Sequence, residues 1–274
     1  MQSENRDNLF QQAYLCLLAC DPTEKVWRSH FIARQWQDEL LTLDAFDAPQ
    51  PLPEPGRPSK PELVAPSQLA RRSLHTREGQ AALVHAICHI ELNAINLAWD
   101  AVYRFRDMPK DYYRDWIQVA DEEAYHFALL RQRLQELGYA YGDFAAHNGL
   151  WEMACKTAHD VMIRMALVPR VLEARGLDVA PGMMERLRKA GDHRTVALLR
   201  IILRDEIGHV AIGSRWYRYI CEARGLDAEV NFQRLLKEYM TSPPKGPFYE
   251  QARVQAGFSQ NELDELKRQA GIDE

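Results

Sequence analysis

Hydrophobic residues recur every three or four positions along most of this chain, which is the spacing of one face of an α-helix. Between residues 76 and 225 the pattern has few interruptions, and no run alternates as a half-buried β-strand does. It predicts four long helices at about 77–107, 110–137, 150–175 and 190–224. The residues that separate them are Pro109, Gly138, Gly149, Gly176 and the pair Pro181 and Gly182. The predicted fold is all-α, with a four-helix bundle at its centre.

Shorter segments flank the predicted bundle on both sides. Helical spacing predicts a short helix over residues 7–20 and a second amphipathic segment over 26–43. Seven prolines then crowd into residues 48–66, where neither a helix nor a central strand can continue, so this stretch is predicted as an extended arm. Near the other end, Ser259 and Glu262 have the spacing of a capping box, which predicts a last short helix.

These patterns divide the chain into three predicted segments. Residues 1–75 hold N-terminal helices and the Pro-rich arm, both packed on the core, and residues 76–225 hold the four-helix bundle. Residues 226–274 form a C-terminal extension.

Each predicted bundle helix carries a glutamate on its apolar face. Residues three apart lie on nearly the same side of a helix, so an internal Glu-x-x-His motif can direct a carboxylate and an imidazole to one point. The second and fourth helices contain such motifs, and the first and third each contribute a single glutamate. The resulting set is Glu91, Glu123, His126, Glu173, Glu206 and His209.

The six residues form two matching halves. Glu91 precedes Glu123 by 123 − 91 = 32 positions, and Glu173 precedes Glu206 by 206 − 173 = 33. Burying four carboxylates without a compensating cation costs several kcal/mol per charge, and bound metal removes that cost. Four glutamates and two histidines in this arrangement are the ligand set of di-iron and di-manganese carboxylate bundles.

The donor chemistry indicates which metal would be bound. Oxygen-rich ligation with a minority of imidazole favours iron or manganese over a closed structural zinc site, so the expected cofactor is two iron ions, with manganese or a mixed pair as alternatives. Glu122 and Asp205 directly precede a predicted ligand, and we expect each carboxylate to accept a hydrogen bond from the outer nitrogen of the ligand histidine in the opposite motif.

The same residues also allow a purely structural interpretation. A single buried glutamate usually pairs with an arginine, and Arg170 or Arg204 could serve one or two of the four. A single helical histidine is usually a satisfied core residue. His85 and His89 lie on a helical face turned away from Glu91 and are therefore predicted to be structural or to support the ligands.

Composition and charge restrict the class of protein. The 274 residues carry a formal net charge of −5 at pH 7, which does not favour a nucleic-acid partner. The polar first residues differ from a secretory leader, no apolar stretch approaches the roughly 20 residues of a membrane span, and the five cysteines include no C-x-x-C pair. The sequence therefore predicts a cytoplasmic protein that does not enter membranes.

Several segments resemble a bacterial ferritin-like family catalogued as a domain of unknown function. They are residues 85–92 (HAICHIEL), 150–152 (LWE), 164–178 (RMALVPRVLEARGLD) and 205–210 (DEIGHV), together with the Gly56-Arg57-Pro58 run and the Lys245-to-Phe248 run. The Glu-Ala-Arg of residues 173–175 is more distantly similar to the third-helix ligand segment of the bacterial di-iron hydroxylase that modifies isopentenylated adenosine in tRNA. The resemblance implies a ferritin-like fold with Glu173 as a metal ligand.

A di-iron centre in such a bundle suggests three functions. The first is an oxygen-activating oxidoreductase, a monooxygenase or hydroxylase, whose partners are molecular oxygen, an unidentified electron donor and a small organic molecule or modified nucleoside. The second is a ferroxidase or iron-handling protein. The third is a non-catalytic bundle stabilised by metal. The sequence does not determine the oligomeric state, and a homodimer is compatible with it.

Overall fold

The computed structural model describes residues 7–44, 47–70, 72–242 and 244–272 of the chain. Residues 1–6 and 273–274 of the predicted terminal segments lie outside this range. The described residues are mostly helical, which confirms the all-α prediction; a two-residue parallel pair, β1 (Asp7–Asn8) with β2 (Leu41–Thr42), is an exception. The chain divides into two compact units, residues 1–155 and 156–274. The predicted division at residues 75 and 225 stays a prediction.

The first unit is built around two long helices. These are α3 (Arg77–Arg104) and α4 (Lys110–Glu136), which pack along each other, while α1 (Leu9–Leu18) packs on α3 and α2 (Pro22–Gln37) on α4. The unit ends in α5 (Gly149–Lys156), which crosses the boundary by one residue. Helix α3 begins where the Thr76 side chain accepts a hydrogen bond from the Gly79 amide at 3.1 Å. Helix α2 begins and ends earlier in the chain than the predicted segment 26–43, because Asp21 caps it and Pro22 occupies its first turn.

The Pro-rich arm lies against the loop that follows α4. The Val64 amide donates to the Ala146 carbonyl at 2.8 Å, and the Ala146 amide donates to the Glu62 carbonyl at 3.0 Å. Earlier in the arm, the indole N–H of Trp151 donates to the Pro53 carbonyl at 2.9 Å. Backbone and side-chain hydrogen bonds thus hold an arm that has one single-turn 3₁₀ helix, Pro66–Gln68, among its described residues.

The second unit contains the remaining helices. They are α6 (Val161–Leu167), a π-helical segment (Val168–Glu173), α7 (Ala174–Lys189), α8 (His193–Ala223), α9 (Ala228–Tyr239), α10 (Glu250–Gln255) and α11 (Gln260–Gln269). Helices α6 and α7 and the π-helical segment pack along α8, and the two last helices follow a proline-containing turn. The capping box predicted at Ser259 and Glu262 is present and begins α11.

The predicted third helix, 150–175, is wrong in its outline. Helix α5 ends at Lys156, α6 starts at Val161, and the chain then widens into the π-helical segment. Pro169 explains the widening, because it has no N–H to donate and its ring collides with the preceding turn of a regular α-helix. Helix α7 continues through Gly176 and contains Pro181, where the sequence predicted a break, since buried Leu177 and Leu187 pack the helix on its neighbours.

A buried ion pair fixes the C-terminal extension inside the second unit. The guanidinium of Arg170 is buried, donates through Nη2 to Glu262 Oε1 and through Nε to Ser214 Oγ, and lies over the rings of Phe232 and Phe258 at 4.2 and 4.6 Å. The extension is therefore part of the core of this unit. Helix α9, which the sequence analysis missed, supplies Phe232 to this contact.

A second buried ion pair lies nearby. Arg253 Nε and Nη2 donate to the two carboxylate oxygens of Asp178 at 2.9 and 2.8 Å, and the Tyr249 amide donates to the same carboxylate at 2.9 Å. This bidentate pair ties α10 to α7.

Helix α3 is long and apolar enough to cross a membrane by length and composition. Its most apolar window is 78% buried within the protein, as in the core helix of a globular protein. The prediction of cytoplasmic localisation stays a prediction.

Candidate metal centre

Three of the predicted ligands lie together in the first unit. His126 Nδ1 lies 3.3 Å from Glu91 Oε2 and 3.5 Å from Glu123 Oε2. One ligand atom from each residue lies within 4.8 Å of the others. Relative exposure is 2% for Glu91 and 0% for both Glu123 and His126. This buried Glu/His cluster can hold a metal ion.

The two long helices position this cluster. Glu123 and His126 are three residues apart on α4, so one helical turn brings the carboxylate and imidazole side by side, as the motif predicts. Glu91 reaches them from α3, where its neighbours on the same face, Cys88 and Ile95, are buried and apolar. Because packed apolar side chains surround the cluster, its charged groups have little access to water.

The electrostatics of the cluster favour a cation between the carboxylates. Burial by itself lowers the pKa of His126, but the nearby carboxylates of Glu123 and Glu91 outweigh burial and raise it to about 11. Without metal, His126 is therefore an imidazolium at neutral pH.

The residues present fit a divalent metal. Two carboxylates and one imidazole offer hard oxygen donors with one nitrogen, the mixture that iron and manganese accept. One imidazolium balances only one of two buried carboxylates, so a divalent ion compensates their charge more fully. In this fit, Nδ1 of His126 is the donor nitrogen, because Nδ1 is the nitrogen that faces both glutamates.

The second unit repeats the motif geometry on its own helices. His209 Nδ1 lies 3.8 Å from Glu206 Oε2 on α8, and His209 is buried. Both Glu-x-x-His motifs thus turn the same imidazole nitrogen toward the preceding glutamate. The third predicted ligand of this half, Glu173, ends the π-helical segment and has one carboxylate oxygen shielded from solvent.

The two residues predicted to support the ligands have partners beside them. Glu122 accepts a hydrogen bond from Gln118 Nε2 at 3.0 Å, and Asp205 accepts from Arg204 Nε at 2.8 Å. Their predicted hydrogen bonds to the ligand histidines stay predictions.

The two arginines considered as structural partners of the glutamates have other carboxylates. Arg204 pairs with Asp205, and Arg170 pairs with Glu262. The Arg170 pairing could not be inferred from spacing, because its partner lies 92 residues away.

His85 and His89 are held in a structural network beside the loop after α4. The Gly142 amide donates to His85 Nε2 at 2.9 Å, and His89 Nδ1 lies 2.8 Å from the Tyr141 hydroxyl. Burial lowers the pKa of both histidines to about 4, so both are neutral at pH 7. The prediction of a structural position for them agrees with these contacts, and Tyr141 is the partner that the sequence analysis missed.

A mostly helical fold with a buried Glu/His cluster places this protein among helical proteins with a candidate metal site. Residues 18–264 match the family described as "Protein of unknown function (DUF455)", and the chain belongs to that family. It is similar to an uncharacterized protein of Haemophilus influenzae, with 46% identity over 265 residues that cover 93% of this chain and 92% of the relative. No solved structure matches the chain.

Proposed function

We propose that this protein is a ferritin-like di-iron carboxylate protein, and that its activity is that of an oxygen-dependent oxidoreductase, a monooxygenase or hydroxylase. The observation that carries the proposal is the buried cluster of Glu91, Glu123 and His126, with Nδ1 of the histidine facing both carboxylates. In this proposal Glu173, Glu206 and His209 complete a set of six ligands for two iron ions. Its partners are molecular oxygen, an electron donor and a small organic molecule or modified nucleoside.

The repeated local geometry supports two equivalent half-sites. In each unit an α-helix presents Glu-x-x-His with Nδ1 directed toward the glutamate, and a preceding helical segment supplies one further glutamate. Equivalent ligand sets suit a pair of like metals.

The chain's own residues would bind the metal, orient its ligands and exclude water. When bound, iron supplies the reduction of molecular oxygen that a hydroxylation requires. Glu91 and Glu123 would balance the metal charge inside an apolar surrounding, and His126 would give up its Nδ1 proton to bind. Burial of these three residues keeps bulk water from competing for the same positions.

The extensive covering of the bundle favours an oxidoreductase over the alternative, a ferroxidase. The Pro-rich arm is fixed along the first unit, and the C-terminal extension is fixed in the second by two buried ion pairs. A protein that only stores or oxidises iron needs the bundle alone.

Metal analysis tests the site. Purified protein should contain about two iron or manganese ions per chain, and Glu123→Gln combined with Glu206→Gln should lose most of that metal. The matched control is Glu222→Gln, an exposed glutamate on α8, which should keep full occupancy. Full occupancy in the double variant would show that the ligand assignment is wrong.

Oxygen titration then distinguishes the activities. Anaerobically reduced protein should consume oxygen only in proportion to its own iron until an organic substrate and an electron donor are added. Sustained oxidation of added ferrous iron without either would favour the ferroxidase.

A further inference from the structure

A groove of about 310 Å³ opens on the first unit between the Pro-rich arm and the end of α4. Its walls are Pro22 at the start of α2, residues 58–60 of the arm, and Tyr141 in the loop after α4. Arg131 and Gln135 on α4 complete it. None of the six proposed metal ligands lines this groove.

The described side chains that line the groove include positive charges and no negative charge. Lys60 and Arg131 line it, and Arg57 lies near enough that its charge acts on Tyr141. Throughout the part of the chain that the structure describes, these three cations have no carboxylate within ion-pair distance.

Five other arginines of the same unit are neutralised locally, whereas Arg77 and Arg106 donate to backbone carbonyls. Each of the five pairs with an acidic side chain within 3.0 Å: Arg28 with Glu24, Arg34 with Asp38, Arg72 with Glu78, Arg104 with Asp100 and Arg133 with Glu136. In a protein of net charge −5, three neighbouring cations without acidic partners concentrate positive charge at one place on the surface. Such a cluster attracts an anion from solution.

The groove is also rigid. Arg131 Nη1 donates to the Thr23 hydroxyl at 2.9 Å, and its guanidinium lies 5.7 Å from the centre of the Phe127 ring. At Gly142, which has φ of +107°, an added Cβ would meet the Lys60 Cβ at 2.9 Å, so the arm at Lys60 lies directly on the loop. A preformed site loses little conformational entropy when a ligand binds.

We propose that this groove binds a phosphate group, either as inorganic phosphate or as the terminal phosphate of a small phosphorylated molecule. Arg131 offers a planar fork that matches two phosphate oxygens, and Lys60 adds a mobile point charge from the opposite wall. This site is independent of the metal centre.

Isothermal titration calorimetry at constant ionic strength tests the proposal, with inorganic phosphate and adenosine monophosphate as probes. The wild-type protein should bind at least one probe saturably. Lys60→Gln should weaken binding by about tenfold, and Lys60→Gln combined with Arg131→Gln should abolish saturable binding. Arg131→Lys should bind more weakly than wild type, because it keeps the charge and loses the fork.

The matched control is Lys156→Gln, which removes one exposed charge outside the groove and should bind as wild type. Unchanged metal content and circular dichroism in every variant would separate this site from the proposed di-iron centre. Tighter binding of adenosine monophosphate identifies a phosphorylated molecule as the source, and equal or tighter binding of inorganic phosphate identifies the free ion. Wild-type protein that binds neither probe, or a double variant that binds as wild type, would overturn the proposal.

Discussion

The ring of Pro169 occupies the space that a side chain at position 213 would need. A Cβ built on Gly213 would lie 2.3 Å from both Cβ and Cγ of Pro169, so α8 and the π-helical segment approach as closely as a glycine permits. Glu173 ends that segment, four residues after Pro169, so we expect a displacement of Pro169 to shift Glu173 as well.

We expect Gly213→Ala to destabilise the protein by about 1–3 kcal/mol, the usual cost of overpacking a tight contact, and to lower metal occupancy by displacing Glu173. Gly208→Ala is the matched control on α8, because no atom lies within 4 Å of its added Cβ, and it should stabilise the helix by about 0.5–1 kcal/mol. Denaturant unfolding and metal analysis of both variants measure the effect. Equal stability of the two variants would contradict the close contact.

Metal binding should strengthen as pH rises. The pKa of His126 is raised to about 11 in the metal-free protein, so a metal ion must displace its Nδ1 proton at neutral pH. Affinity for Mn²⁺, a redox-stable probe, should increase by about tenfold per pH unit for each proton displaced between pH 6 and 8.

Calorimetry in buffers of different ionisation enthalpy should detect at least one proton released per chain on Mn²⁺ binding. The folding stability of the metal-free protein should change with pH in the opposite direction to the metal affinity. The stability that protonated His126 contributes is complete below pH 6.5 and is lost as pH rises through about 11. An Mn²⁺ affinity independent of pH would argue against the ion-paired imidazolium.

Acid should destabilise the first unit because it protonates His85 and His89. Burial lowers the pKa of both to about 4, so the stability gained by keeping them neutral is present above pH 6.5 and is lost as pH falls through about 4. The free energy of unfolding should therefore fall across this interval. In His89→Gln the fall should be smaller, whereas removal of an exposed histidine in His159→Gln should leave the pH profile unchanged.

Removal of one partner of the buried Arg170–Glu262 ion pair should destabilise the protein. Glu262→Gln leaves a buried guanidinium without its carboxylate and should cost about 3–5 kcal/mol, while Arg170→Met combined with Glu262→Met should recover part of that loss. Glu265→Gln, on the same helix, is the control and should change stability by less than about 1 kcal/mol. Thermal denaturation compares the three, and a Glu262→Gln variant as stable as the control would show that the pair contributes little.

Local signals predicted the long helices closely. Arg77 and Lys110 begin helices at the predicted positions, and the fourth helix runs from His193 to Ala223 where 190–224 was expected. Apolar periodicity and local caps suffice for these elements, because each helix buries one continuous face. The Glu-x-x-His geometry also follows from local spacing, since three residues on one helix set the distance between the two side chains.

Features that depend on distant contacts could not be predicted in this way. Pro169 is a local cause of the π-helical segment, but its close contact with Gly213 joins residues that lie far apart along the chain. Helix α7 passes Pro181 because packing at Leu187 outweighs local propensity, and Arg170 finds Glu262 only in the folded unit. For α9 a local signal was present: Asp227 caps a segment in which Phe232, Leu235 and Leu236 have helical spacing.

The π-helical segment from Val168 to Glu173 also has a consequence for how sequences of this family should be aligned. A π-turn holds more residues than an α-turn, so the faces before and after it differ in phase from those of one uninterrupted helix. Loss of a single residue here could be absorbed by tightening the turn, whereas the same loss in α4 would rotate Glu123 and His126 relative to the rest of their helix. Single-residue gaps in relatives are therefore expected at this segment and not within α4.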